Sequence, residues 1–126
     1  MSGFARTMLA VAALLGAAAV VLGAFGAHAL RDTLDEHALA TWHTAVEYQF
    51  WHVLALIGVA LLARDAAPGA LRIAGSAFVF GMVLFCASLY ALALGAPRGV
   101  GAITPFGGVA LIVGWVCLAA HALSRR

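Results

Sequence analysis

The stretch Trp42 to His52, W-H-T-A-V-E-Y-Q-F-W-H, holds two histidines, a glutamate, a glutamine, a tyrosine and two tryptophans directly before the apolar run V-L-A-L-I-G-V-A-L-L-A. These groups can exchange protons, hydrogen-bond or hold a ligand, in a segment that lies at least partly in a membrane. Successive residues of a helix turn by about 100°, so Ala45, Tyr48, Gln49 and His52 share one face. His43, Glu47 and Trp51 share nearly the opposite one, where His43 and Glu47, four residues apart, can pair within reach of interfacial water. A strongly polar side chain within a span costs a few kcal/mol, about 2.5–3.5 on insertion scales when charged, and so needs a partner. Two readings follow. In the preferred one Tyr48, Gln49 and His52 cross-link helices, to His28 or to Ser88 and Tyr90, each bond contributing roughly 0.6 kcal/mol. In the alternative, His28, Tyr48, Gln49 and His52 line a site for a small solute, an ion or a lipid.

Other chemistries find less support. The metal-binding spacings H-E-x-x-H, C-x-x-C and paired E-x-x-H are absent, so no metal or other cofactor is expected. A haem clamped by His28 and His52 would need both at one depth, whereas His28 closes its span and His52 lies two turns inside its own. Ser76, Ser88 and Cys86 have no neighbouring His or carboxylate in sequence to activate them, so no enzyme is expected. Cys86 and Cys117 sit in apolar runs and read as small buried hydrophobes. The segment G-V-G-A-I-T-P-F-G-G at 99–108 frees backbone N–H groups beside the Thr104 hydroxyl and Arg98, a combination able to hold an anion or a lipid headgroup. A tight non-helical cap over the helices is the preferred reading. Glu47, Ser88, Tyr90, Arg98 and Thr104 therefore form a second rank of candidates.

Of the 126 residues, 65% are hydrophobic and 10% are charged. That much apolar surface does not fit inside a water-soluble core of this size, so the chain is expected to be an integral membrane protein with a single membrane domain. The positive charges are seven arginines in ones and twos with no lysine, unlike the clustered basic stripe of a nucleic-acid surface. The expected fold is all-α, a bundle of four transmembrane helices over about 8–27, 45–63, 73–94 and 106–123. A cleaved signal peptide over the first run is the competing reading, since Arg6 precedes it and Ala27-His28-Ala29 follows, but the run is too long for an ordinary signal core. Thr33 to Glu36 fits a capping box with Thr33 as N-cap, and no Gly or Pro follows before Gly58. Span two therefore acquires a short amphipathic extension with Leu34, Ala38, Leu39 and Trp42 facing lipid or bundle. Ala19, Gly23 and Ala27 form a small-residue ridge for close helix contact. Trp42, Trp51 and Trp115 read as anchoring and packing residues.

Arg6, Arg64, Arg72, Arg125 and Arg126 fall on the side of the termini, against Arg31 and Arg98 on the other, which predicts both termini in the cytoplasm. With four blocks in hand, G-A-F-G-A-H-A-L at 23–30, W-H-T-A-V-E-Y-Q-F-W-H-V-L-A-L at 42–56, L-F-C-A-S-L-Y at 84–90 and G-A-I-T-P-F-G-G at 101–108, the chain resembles the small membrane proteins called domain of unknown function 423, which have a related eukaryotic transmembrane branch. The resemblance spans almost the whole chain and implies a four-span protein of the bacterial inner membrane, with no activity to carry over. Small size and Gly/Ala ridges suggest a structural, assembly or interaction subunit, as a homo-oligomer or beside a membrane-protein partner.

Overall fold

A computed structural model describes residues 1–124. Its helices are α1 (Gly3–His28), α2 (Glu36–Leu62), α3 (Gly69–Ala93) and α4 (Thr104–Ser124), with a single 3-10 stretch, Arg98–Ala102, between the last two. All four are long and apolar enough to cross a bilayer. Each packs on its sequence neighbour, α1 touches α3 only lightly, and α1 and α4 form the two edges of the bundle. At one end, here called distal, α1 gives way to α2 and α3 to α4; the chain starts at the other.

The α1–α2 contact has a seven-residue repeat. On α1 the inward residues are Ala5, Met8, Ala12, Leu15, Ala19, Leu22 and Gly26, and on α2 they are Trp42, Val46, Gln49, Val53, Leu56 and Ala60, continued by its C-cap Ala63, both sets alternating steps of three and four. That pattern gives two antiparallel helices the shallow left-handed crossing of a coiled coil. The register is visible at the glycines: Gly23 lies against Val46, and one heptad further along, Gly16 lies against Val53. The predicted ridge at Ala19, Gly23 and Ala27 is displaced, because Ala27 is exposed while Ala5, Ala12, Ala19 and Gly26 line the seam.

Helix ends are closed locally. Ser2 caps two helices at once: its Oγ accepts from the Ala5 amide and donates to the Ala63 carbonyl at 2.7 Å, while its own amide donates to the Arg64 carbonyl. The orphan groups at the start of α1 and the end of α2 thus satisfy each other. Helix α2 starts two residues later than expected. Asp35 is the N-cap, its Oδ1 accepting from the Ala38 amide at 2.8 Å, and Thr33 instead bonds back to the Ala29 carbonyl within the turn that leaves α1. The extension then joins the bundle, since Leu34 and Leu39 pack with Leu30, Trp42 and Tyr90. Helix α3 ends in a Schellman motif: Gly95, at φ +100°, donates to Leu92, and Ala96 donates to Ala91.

The segment after Pro97, expected to be non-helical, is largely helical. Residues 98–102 form the 3-10 turn, and Thr104–Gly108 is already the first turn of α4, where Pro105 is tolerated because an N–H there has no helical partner to lose. The glycines serve packing. A β-carbon on Gly107 would lie 2.8 Å from Phe85 Cα, and one on Gly114 would lie 2.6 Å from the Phe78 ring, so α4 sits almost on the α3 backbone.

Gly107→Ala should therefore push α4 off α3, costing about 1–3 kcal/mol in line with overpacking of other tightly packed sites. Gly58→Ala, with nothing within 4 Å of its new methyl, should leave stability unchanged or raised. Thermal unfolding of both variants in detergent checks the contrast; equal losses would mean that the close approach at Gly107 is not what holds α4.

Candidate functional site

The face of α2 predicted to be polar does turn inward, and then divides. Gln49 and His52 are each 5% exposed and Tyr48 is half-buried, while His43 and Glu47 are exposed on the opposite side and Trp51 is exposed beside Tyr48. Gln49 looks toward α1 and α3. Its Nε2 donates to the Leu15 carbonyl at 2.8 Å, and its Oε1 accepts from the Tyr90 hydroxyl at 2.7 Å, so one amide ties three helices together. Two turns toward the distal end, Trp42 Nε1 donates to the Leu22 carbonyl at 2.9 Å, and its ring lies 4.7 Å from that of Tyr90.

These two donors are one heptad apart on α2, and their acceptors are one heptad apart on α1. Carbonyls within a helix already bond the amide four residues on, so the side chains use the second lone pair. Reaching it requires a small residue one turn later. Ala19 stands there for Leu15 and Gly26 for Leu22, and a β-carbon on Gly26 would come within 2.5 Å of the Trp42 indole.

His52 looks the other way, toward α4. Its Nδ1 lies 2.7 Å from the Tyr48 carbonyl, and a carbonyl only accepts, so the proton sits on Nδ1. The bare Nε2 then accepts the Trp115 indole N–H at 3.0 Å. Phe78 packs under both rings. With both nitrogens filled, the neutral imidazole is a connector between α2 and α4 and has no lone pair left for a metal.

Ser88 and Thr104 make a third polar tie, between α3 and α4. Ser88 Oγ gives its single proton to the Phe85 carbonyl, so Thr104 donates to Ser88 across 2.6 Å. The remaining candidates stand apart. His28 is exposed at the end of α1, distant from Gln49 and His52, and Glu47 and Arg98 are exposed. Among the described residues no three His, Cys, Asp or Glu side chains gather as a metal site, and no buried side-chain nitrogen or oxygen lacks a hydrogen bond. Cys86 and Cys117 are free thiols. Three participants escaped sequence reasoning: Trp42 and Trp115, which read as anchoring and packing residues, and the α1 backbone, whose only signal is the small-residue heptad.

Alongside these ties runs an apolar groove of about 770 Å³ between α2 and α4, walled by Tyr48, Trp51, Phe85, Val109, Ile112 and Trp115. It opens toward the bilayer, since Trp51, Val109, Ile112 and Trp115 are all exposed.

Four apolar helices joined by buried polar ties define a small multi-pass membrane protein. The chain belongs to the DUF423 family of proteins of unknown function, whose model matches residues 22–108. It is 43% identical to the UPF0382 membrane protein YwdK of Bacillus subtilis, over 83% of this chain and 86% of that one. It is 42% identical to a UPF0382 membrane protein of Haemophilus influenzae, over 88% and 89%. The UPF0382 inner membrane protein YgdD of Escherichia coli shares 37% identity over 96% of this chain and 92% of its own. No solved structure matches.

Because Gln49 holds two bonds and Tyr90 one of them, Gln49→Leu should lower stability by about 1.2 kcal/mol at roughly 0.6 per bond, and Tyr90→Phe by about half as much. The double variant should cost less than the sum. Unfolding of the four proteins in one detergent checks this, and strict additivity would mean that the bond contributes nothing.

Proposed function

We propose that the chain is a non-enzymatic structural, assembly or interaction subunit of the bacterial inner membrane, working as a homo-oligomer or beside a partner membrane protein, with both termini in the cytoplasm. The observation that carries this reading is the use of the buried polar side chains. Gln49, His52, Ser88, Thr104 and Tyr90 each take part in a hydrogen bond that joins two helices, and His52 has neither ring nitrogen free. A transport path or catalytic centre would need some of these groups unspent at rest. The α1 edge of the bundle supplies contact surface instead: Leu14, Val20 and Val21 are more than half exposed. The arginine balance supports the orientation, and the inner-membrane name of the Escherichia coli relative supports the compartment.

Native mass spectrometry of the protein extracted gently from its own membrane is expected to give a homo-oligomer or a stoichiometric protein partner; a bare monomer overturns the subunit reading. In the same preparation His52→Ala should lower the melting temperature and the yield of that assembly. A normally folded His52→Ala protein that had lost only a transport activity would contradict it. For orientation, an impermeant thiol reagent added to intact cells should label Gly99→Cys, in the distal loop, and spare Asp65→Cys. The reverse pattern would put the termini outside.

A further inference from the structure

Most polar side chains near the groove between α2 and α4 are already bonded, which makes the exceptions informative. Tyr48 lies in its wall, 4.6 Å from the Phe85 ring and 5.1 Å from Trp51 between centroids. Among the described residues nothing hydrogen-bonds the Tyr48 hydroxyl, and the Trp51 indole N–H likewise has no acceptor. The His52 ring, which also lines the groove, offers nothing because both nitrogens are filled. No charged residue lines it. The polar inventory is therefore the Tyr48 hydroxyl and the Trp51 N–H, three residues apart on α2, each with a proton to donate in a cleft bordered by lipid-facing side chains. What completes such a site is a ligand whose polar atoms accept.

The walls narrow the choice. Tyr48, Trp51, Phe85, Trp115 and His52 all present rings, and a flat π-system packed offset or edge-on against such rings gains beyond its buried area. The volume falls within the range of about 300–1,000 Å³ usual for small-molecule sites. The open side, bordered by Leu54, Val109 and Ile112, leads a tail into the bilayer. We propose that this groove binds an isoprenoid quinone, one ring carbonyl accepting from the Tyr48 hydroxyl and the prenyl chain leaving past Ile112. The inference concerns binding only and goes beyond the subunit reading, which can fail or hold without it.

The test uses the full chain in nanodiscs of phosphatidylethanolamine and phosphatidylglycerol free of quinone, titrated with a short-chain ubiquinone, with tryptophan quenching and native mass spectrometry as readouts. Saturable quenching with one retained quinone per chain is expected. Tyr48→Phe should weaken binding about tenfold, the loss of one hydrogen bond at the upper end of its usual range, while leaving the melting temperature of the empty protein unchanged. Ile112→Trp, at an exposed position, should fill the groove and abolish binding. Tyr90→Phe should bind as wild type while losing stability, because its hydroxyl serves Gln49. Unsaturable quenching, or equal affinity in wild type, Tyr48→Phe and Ile112→Trp, overturns the proposal. So does retention of a phospholipid that Tyr48→Phe releases, which would give the groove to a glycerolipid. Loss of an oligomer in Ile112→Trp with unchanged quinone binding would give it to a second copy and overturns it too.

Discussion

The bundle depends on a pair of hydrogen bonds that reach from side chains of α2 to backbone carbonyls of α1, Gln49 to Leu15 and Trp42 to Leu22. In lipid there is little hydrophobic drive to join one apolar helix to another, so association rests on close packing and polar ties. Here the two depend on each other, because donors can reach a helical carbonyl only where the intervening side chains are small. Ala19 and Gly26 let α2 close in, and the closeness makes the bonds possible. Once α1 and α2 are locked in this register, Gln49 presents its oxygen to Tyr90 on α3, and His52 presents a nitrogen to Trp115 on α4. One helix thus positions the other three.

Helices α3 and α4 are joined differently. Between α3 and α4 the contact is mostly steric: Gly107 over Phe85 and Gly114 over Phe78, with the Ser88–Thr104 tie near the distal end. Phe78 links the two systems, being fully buried and in contact with both His52 and Trp115. The bundle therefore has a polar seam on one side of α2 and an aromatic seam on the other, and the groove lies where the aromatic seam stops short of the surface.

The four spans were legible in the sequence because length and hydropathy alone decide them. The inward face of α2 was legible too, since helical periodicity puts Gln49 and His52 on one side whatever they meet. What they meet was not. Trp115 lies 63 residues from His52, and an indole in an apolar run looks the same whether it faces lipid or donates to an imidazole. The partner of Gln49 on α1 is a main-chain oxygen, a group every residue carries. His28 shared the polarity of the α2 face but stands exposed at the end of its helix. The cap of α2 moved from Thr33 to Asp35 because both residues can cap, and the backbone turn leaving α1 uses up the first. The Gly- and Pro-rich segment after α3 looked irregular by composition, yet its glycines serve contact with Phe85 and its second proline is harmless in a helix's first turn.

The heptad of small residues on α1 has a consequence for how this helix carries information. Every carbonyl along it is chemically the same, so nothing in the acceptors tells Gln49 and Trp42 where to bind. The address is written in missing atoms: Ala19 and Gly26 are the openings through which two of many identical oxygens become visible to α2. An alanine-rich span that a hydropathy scale reads as filler is a lock whose wards are absent side chains. Exchanging alanine for valine at such a place would keep the helix equally greasy and erase the address.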